Sequence, residues 1–221
     1  LQSRDRGTRA DGKGADISVA LKHQIEAWYF AGALHAGYHG NEFTRSFAVG
    51  DEWWSSKFDT KSWTFGLRGR AAYEFAFDEW YVRPYVDVDG IHAYMPGYTS
   101  TGSGLDTRVS PMREWTFAVS PAVELGLRKN LESGGWLRPY LSVGATYFKD
   151  NEFSAKVRFV DGLEEGVAFD STSHLPRYAL DVGAGVQFLS KDNFEVKGEY
   201  KAQIGKDYLN QKASLRAAFH F

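Results

Sequence analysis

The sequence predicts an all-β fold, an antiparallel transmembrane β-barrel, and two observations support that prediction. First, segments long enough to cross a membrane alternate apolar and polar side chains, as strands with one lipid-facing side and one lumen-facing side do. Second, the connections between these segments alternate short and long, as the turns and loops of bacterial outer-membrane barrels do. A soluble β-sandwich would share the first regularity but does not predict the second.

The alternation predicts nine strands, and it is clearest in the last of them. In that strand one face is apolar and ends on Phe219 and Phe221, whereas the other carries Lys212 and Arg216. Residues 1–14 are polar and rich in glycine, so we expect a loop or tail there and a barrel domain over residues 15–221. The nine predicted strands are Asp16–Gln24, Trp28–His39, Lys61–Phe77, Trp80–Tyr94, Glu114–Arg128, Trp136–Phe148, Arg177–Phe188, Phe194–Ile204 and Gln211–Phe221.

The long connections predict the orientation of the barrel. They cover about 40–60, 96–111 and 149–176, and all three fall on one side when the strands are counted back from the C terminus. With a periplasmic C terminus, that side is extracellular. Single-chain bacterial barrels have an even number of strands, so a count of nine predicts at least one further strand before Leu1.

Aromatic side chains cluster at the predicted strand ends. Tryptophan and tyrosine are enriched where a barrel meets the two interfaces of the membrane. We therefore expect these residues to form aromatic girdles. The predicted interface aromatics are Trp28, Trp63, Trp80, Trp115, Trp136 and Tyr147.

Composition agrees with this class and argues against others. The mean hydropathy is -0.41, and no apolar run approaches the roughly 18 residues of a membrane-spanning helix. The formal net charge of -2 argues against a nucleic-acid-binding protein. The absence of cysteine excludes disulfides and thiolate metal sites, and the six histidines lack the spacing of a metal motif. We predict no metal and no cofactor.

Several motifs, in their order and spacing, resemble one known family. They are W-Y-F-A-G-A-L-H-A-G-Y at 28–38 followed by N-E-F at 41–43, R-P-Y at 83–85 and again at 138–140, G-A-G-V-Q at 183–187, and E-Y-K-A-Q-I-G-K-D-Y at 199–208. Nearly the whole chain is thereby similar to the C-terminal translocator domain of autotransporters, the type V secretion proteins.

The resemblance implies a twelve-stranded outer-membrane barrel, of which nine strands are visible here. An N-terminal helix would thread the lumen and join an exported passenger to the first strand; helix, passenger and about three strands would lie outside this sequence. The implied partners are outer-membrane lipid, the passenger and luminal helix, periplasmic chaperones and the barrel-assembly machinery. Phe219 and Phe221 resemble the terminal assembly signal, although Arg216 replaces a glycine often found there.

The charged residues of the predicted inner faces form the candidate functional site. We expect a network of hydrated ion pairs that lines the lumen and accommodates a passing chain or a docked helix, without enzymatic activity. The predicted lumen-lining residues are Arg68, Arg70, Glu74, Arg83, Asp87, Asp89, Glu124, Arg138, Asp181, Glu195, Lys197, Glu199, Lys201 and Arg216.

Three alternatives remain open at this point. A small outer-membrane porin or adhesin-type barrel would share the strand pattern. Self-cleavage of the passenger would use lumen acids, here Glu124 with Asp87 or Asp89, on an asparagine outside this sequence. An outer-membrane lipid hydrolase would need an outward serine beside a histidine, and His23 and His92 have no such neighbour in the sequence.

Overall fold

The computed structural model describes residues 2–5, 7–49, 52–102, 106–132, 134–149, 151–160, 166–190 and 194–219. Regular structure in these ranges consists of strands, and none of them contains a helix long and apolar enough to cross a membrane. The strands are β1 (Gln2–Asp5), β2 (Thr8–Ile25), β3 (Trp28–Val49), β4 (Glu52–Tyr73), β5 (Phe75–Ala76), β6 (Trp80–Met95), β7 (Tyr98–Thr99), β8 (Thr107–Val109), β9 (Met112–Leu127), β10 (Lys129–Asn130), β11 (Trp136–Phe148), β12 (Glu152–Phe159), β13 (Ala168–His174), β14 (Tyr178–Leu189), β15 (Phe194–Gly205) and β16 (Tyr208–Phe219).

The main sheet is an up-and-down antiparallel meander. Its strands are hydrogen-bonded in the order β1-β2-β3-β4-β6-β9-β11-β14-β15-β16, so each long strand pairs with the long strands before and after it in the chain. The nine long strands correspond to the nine predicted from the sequence, and the prediction of an all-β antiparallel barrel fold is confirmed. We call the end with the connections 26–27, 77–79, 128–135 and 190–193 the turn end, and the opposite end the loop end.

The sheet curls around a lumen, as contacts that skip a strand demonstrate. Arg83 of β6 lies 4.7 Å from the ring centroid of Tyr29 on β3, although β4 separates these strands. Tyr140 of β11 donates a hydrogen bond to Glu199 of β15, across β14. Side chains can meet over an intervening strand only on the concave face of a strongly curved sheet.

The two outer edges of this curled sheet approach each other. Lys22 of β2 and Arg216 of β16 line the same cavity. No backbone ladder joins β2 to β16 within the described ranges. The short β1 pairs only with Thr8–Asp11, at the loop end of β2.

The convex face is apolar and exposed. Leu21, Leu141 and Leu215 are 76%, 63% and 80% accessible, values that would be unusual for leucine in a soluble protein of this kind. The same exposure is expected of side chains that contact lipid. The strand pattern read from the sequence therefore gives the correct outward face.

Two predicted boundaries at the loop end are wrong. Residues 2–5 and 8–14, predicted as part of a loop or tail over 1–14, are β1 and the first part of β2. The predicted connection at 40–60 is instead a long hairpin, because the ladder of β3 and β4 continues to the pair Val49↔Glu52. Residues 8–14 are polar on both faces, so alternation does not detect a strand there. In the hairpin, Phe43 and Phe47 do alternate with polar neighbours, and that signal was overlooked.

The other two long connections also contain strands. β7 and β8 lie within 96–111, and β12 and β13 lie within 149–176. Together they form a separate four-stranded sheet in the order β13-β12-β8-β7. Lys57 and Thr101 join this sheet to the β3–β4 hairpin through two backbone hydrogen bonds of 2.9 Å. The loop end is therefore an ordered β structure.

Candidate functional site: the charged lumen

The lumen surface is built by one half of the alternation on each long strand. On β6 the inward residues include Tyr81, Arg83, Tyr85, Asp87 and Asp89, which are two positions apart and so share one face. The regular registers carry this alternation from strand to strand. All of the predicted lumen-lining residues fall on this inner face.

Two ion pairs join β4 to β6 in the middle of the barrel. The register places Arg68 opposite Asp89 and Arg70 opposite Asp87. Arg68 donates to Asp89 at 2.6 Å, and Arg70 binds Asp87 through two hydrogen bonds of 2.5 and 2.6 Å. The bidentate geometry matches the planar guanidinium to the carboxylate and fixes both side chains against the wall.

A denser cluster lies at the turn end around Glu74. This carboxylate accepts hydrogen bonds from Arg83 and Arg128, and the Arg138 guanidinium lies 3.7 Å from it. Its side chain is only 5% exposed, which is tolerable for a carboxylate because cations surround it. Glu74 is the point where strands β6, β9 and β11 are linked electrostatically.

Glu124 is the second acid of this cluster. It accepts a hydrogen bond of 2.7 Å from the Tyr81 hydroxyl, with Arg138 at 3.1 Å and Arg83 at 3.4 Å. The Tyr81 hydroxyl in turn accepts a bond of 2.6 Å from Arg138. The sequence pattern places Arg128 on the polar face of its strand with Glu124, but the predicted lumen residues include neither it nor Tyr81, whose phase, shared with Arg83, also gives the inner face.

Glycines make room for two of the large lumen side chains. Tyr81 is fully buried and lies opposite Gly126, where an added Cβ would come within 2.3 Å of the Tyr81 hydroxyl oxygen. Tyr140 lies across Gly185 in the same way, with a Cβ approach of 2.4 Å. Each tyrosine ring thus lies flat over the neighbouring strand rather than across the lumen.

The strands near the C terminus carry a further set of ion pairs. Glu199 accepts from Tyr140 and binds Lys197 at 3.1 Å and Lys201 at 3.2 Å. Arg216 of β16 pairs with Glu195 of β15. These contacts tie β15 and β16 to the opposite side of the site through Tyr140.

Asp181 is held by neutral groups. It accepts hydrogen bonds from Thr146 at 2.6 Å and from the Gln203 amide at 2.9 Å, while Ser120 lies 2.7 Å from Thr146. This network bridges β9, β11, β14 and β15 toward the loop end. Its hydroxyl, carboxylate and amide groups are of the kind that bind ordered water inside proteins.

These side chains enclose a cavity at the turn end. Its volume is about 590 Å³, and every one of the nine long strands contributes to its lining. Among the described residues, no group of three or more histidine, aspartate or glutamate side chains is arranged to hold a metal ion. The arrangement offers a charged, polar wall along which a hydrated polypeptide can lie.

The predicted girdle aromatics form two belts, with one exception. Trp28 packs edge to face against Tyr73 at 5.0 Å, and Trp63 packs against Tyr38 at 4.5 Å, ten residues further along the same two strands. Ten residues span about 33 Å, and a strand tilt of about 40° reduces this to about 25 Å across the membrane, the usual height of the apolar band.

Trp80, Trp115 and Tyr147 also lie on the outer face, with exposures of 42%, 50% and 38%. Trp136 does not share this face. The regular pairing of β11 with β14 gives it the inward phase of Arg138 and Tyr140, so its assignment to the girdle is wrong. The alternation of Leu137 with Arg138 already gives Trp136 the inward phase, and the prediction relied instead on its position at the strand end.

The predicted terminal signal is only partly described. Phe219 is 67% exposed on the outer face, and its ring lies 4.9 Å from that of Phe194. Phe221 lies outside the described residues.

Comparisons with known proteins agree with this geometry. The family model "Autotransporter beta-domain" matches residues 1–201. A comparison with curated proteins finds no match. Similar solved structures include the translocator domain of autotransporter NalP from Neisseria meningitidis, with 13% identity, a TM-score of 0.71, and coverage of 100% of this chain and 71% of that chain.

The β domain of the Bordetella autotransporter BrkA is a second similar structure. It shares 16% identity, with a TM-score of 0.51 and coverage of 96% of this chain and 90% of that chain. Because both identities are below 25%, these two structures support the fold assignment. The family assignment rests on the family model.

Proposed function

The chain belongs to the autotransporter β-domain family, and from that premise we propose how it acts as an outer-membrane translocator that exports a passenger. The passenger crosses along the charged inner wall. The observation that supports this route is the combination of an apolar convex face with a lumen whose ionic groups are paired yet still open to a cavity of about 590 Å³.

Paired charges suit this task for a physical reason. An extended chain in transit exposes backbone amides and polar side chains, and a polar, hydrated wall accepts them without the desolvation cost that an apolar wall would impose. Exposed ion pairs are worth only about 0–1 kcal/mol each, so individual contacts with the wall form and break easily. An apolar wall would retain hydrophobic passenger segments.

The test is export itself. In the whole precursor, protease added to intact cells is expected to remove an epitope on the passenger, and deletion of residues 1–221 is expected to leave that epitope inside. Equal surface exposure of the passenger without these residues would contradict the proposal.

We propose the orientation predicted from connection lengths: loop end outside, turn end and C terminus in the periplasm. These residues include no cysteine, so an introduced cysteine is the one thiol among them that a maleimide can label. A membrane-impermeant maleimide applied to intact cells is expected to label Ser171→Cys in β13 but not Asp78→Cys in a turn. Both positions are exposed in the structure, which makes them matched probes. Labelling of Asp78→Cys alone would reverse the orientation.

Assembly is proposed to require the barrel-assembly machinery and periplasmic chaperones, which recognise β16 through its outward aromatics. Phe219 is exposed on the convex face and so remains available to a partner before membrane insertion. Depletion of the machinery is expected to abolish the heat-modifiable form of the barrel on unheated gels.

We also propose that the barrel has no catalytic role of its own. Asp87 and Asp89 are each engaged by an arginine, and Glu124 is engaged by Tyr81, Arg83 and Arg138. Glu124→Gln is therefore expected to leave the size of the surface-exposed passenger unchanged. Accumulation of an uncleaved precursor in that variant would instead support self-cleavage.

A further inference from the structure

The turn-end half of the lumen carries an excess of positive charge. Six of the nine strands place a lysine or arginine on the cavity of about 590 Å³, and only Glu124 and Glu199 place a carboxylate there. The six cations come from β2, β4, β6, β11, β15 and β16, so they surround the cavity. They are Lys22, Arg70, Arg83, Arg138, Lys197 and Arg216.

In three ion pairs around this cavity the carboxylate lies deeper in the wall than its cation. The Glu74 and Glu195 side chains are 5% and 6% exposed, whereas their partners Arg128 and Arg216 are 42% and 51% exposed. Glu199 is likewise 18% exposed beside Lys201 at 43%. In these three pairs the negative ends lie against the sheet and the positive ends toward the lumen, whereas Arg138 and Glu124 are equally buried, at 14% and 13% exposure.

Lys22 adds a cation without a carboxylate. It makes no ion pair within the part of the chain that the structure describes, and it faces the same cavity as Arg216 on the opposite edge of the sheet. Among the described residues, Lys22 and the ion-pair network around this cavity together contain eight cations (the six above with Arg128 and Lys201) and five carboxylates (Glu74, Asp87, Glu124, Glu195 and Glu199), an excess of three positive charges within that set.

We propose that the turn-end half of the lumen is a carboxylate-binding surface whose ligand is an acidic polypeptide segment. This inference rests on the proposed function, because it names the chemistry of the segment that the translocator holds at this level. Low-dielectric walls lined by one sign of charge focus the potential into the lumen, and guanidinium groups bind carboxylates with directional hydrogen bonds.

The distribution of the cations favours a polypeptide over a single small anion. The cations surround a space equal to about twenty water molecules at about 30 Å³ each, so one inorganic ion would contact only one side of it. A segment carrying several carboxylates can reach cations on opposite walls simultaneously. It would also neutralise Lys22 and Arg216 where the two sheet edges approach.

The test uses the whole precursor in planar lipid bilayers. We expect the reversal potential in a potassium chloride gradient to show preference for chloride. A nine-residue peptide of alternating glutamate and serine, added on the turn-end side, is expected to block the current at a concentration at least tenfold lower than its lysine–serine counterpart. The double variant Lys22→Gln with Lys197→Gln is expected to reduce that ratio several-fold.

The matched control is Lys13→Gln with Lys61→Gln, which removes two cations beside a separate cavity nearer the loop end and is expected to leave the ratio unchanged. Preference for potassium, or equal block by both peptides, would overturn the inference. Chloride preference with equal block would mean that the lumen holds small inorganic anions only, which also overturns it. None of these outcomes affects surface export, which tests the proposed function separately.

Discussion

Tyr81 and Tyr140 show how single residues shape the lumen. Each ring lies across a glycine of the neighbouring strand, Gly126 or Gly185, and each hydroxyl donates to a carboxylate of the wall. The absence of a side chain on one strand therefore decides where the charged groups of the next strands lie. Without these glycines the rings would project into the lumen and reduce the space that a passenger needs.

Gly126→Ala is expected to destabilise the barrel by about 1–3 kcal/mol, the usual cost of overpacking a filled site. Its Cβ would lie 2.3–2.4 Å from three atoms of Tyr81, a buried side chain with no free space around it. The measurement is the urea midpoint at which the heat-modifiable band disappears.

Gly69→Ala on β4 is the matched control, because nothing lies within 4 Å of its added Cβ. It is expected to be neutral or slightly stabilising, since alanine loses less backbone freedom than glycine. Equal losses in the two variants would mean that contact with Tyr81 does not determine the effect.

At the scale of elements, the loop end is ordered by a small number of contacts. The β3–β4 hairpin meets the sheet of β7, β8, β12 and β13 through the Lys57–Thr101 backbone pair and an aromatic stack. Phe58 lies at the centre of that stack, 4.9 Å from Phe43 and 5.0 Å from Tyr98. Partial burial at this position raises the pKa of the Tyr98 hydroxyl.

Phe58→Ala is expected to detach the outer sheet without affecting the barrel, because it removes the ring that joins Phe43 to Tyr98. External protease should then cut the segments 97–111 and 151–176 at least several-fold faster, while the heat-modifiable band remains. Trp53→Ala is the control, since that ring is 77% exposed on the same hairpin. An unchanged cleavage rate in Phe58→Ala would mean that the Lys57–Thr101 backbone pair alone holds the outer sheet on the hairpin.

At the scale of the whole molecule, membrane and lumen divide the side chains of each strand between them. Leucines at 60–80% exposure are stable on the convex face only because lipid covers them. Two outward aromatic pairs, Trp28 with Tyr73 and Trp63 with Tyr38, lie ten residues apart on that face along β3 and β4. The free-energy cost of a charged side chain on the convex face should therefore depend on its depth in the membrane rather than on its exposed fraction.

Leu141→Arg and Leu209→Arg test this, because the two leucines are 63% and 61% exposed but lie at different depths. Leu141 is in the middle of β11, and Leu209 is beside the short loop-end connection that precedes β16. We expect Leu141→Arg to cost about 2–4 kcal/mol and Leu209→Arg about 0–1 kcal/mol, measured by urea unfolding in lipid vesicles. Equal costs would be incompatible with a membrane-spanning β11.

The sequence by itself determined the fold class, the nine long strands and which face of each strand is polar. It could do so because the period of a strand is two, so alternation alone assigns Arg68, Arg83 or Lys197 to the lumen. The family followed from motifs such as the two R-P-Y segments, and the match over residues 1–201 confirms it.

Only the tertiary structure decided which charged side chains form ion pairs and which charges remain in excess. Glu74 binds arginines from three other strands, and no sequence period encodes the curvature that brings β11 to it. The strands at the loop end were missed for two reasons. Residues 8–14 are polar on both faces and leave no alternation to detect, whereas β12 does alternate, with Phe153 and Val157 against Lys156 and Arg158, but lies in a segment interpreted as a connection. The positive surface at the turn end likewise depends on depth: in three ion pairs the carboxylate lies against the sheet and the cation lies above it, a difference that only coordinates reveal.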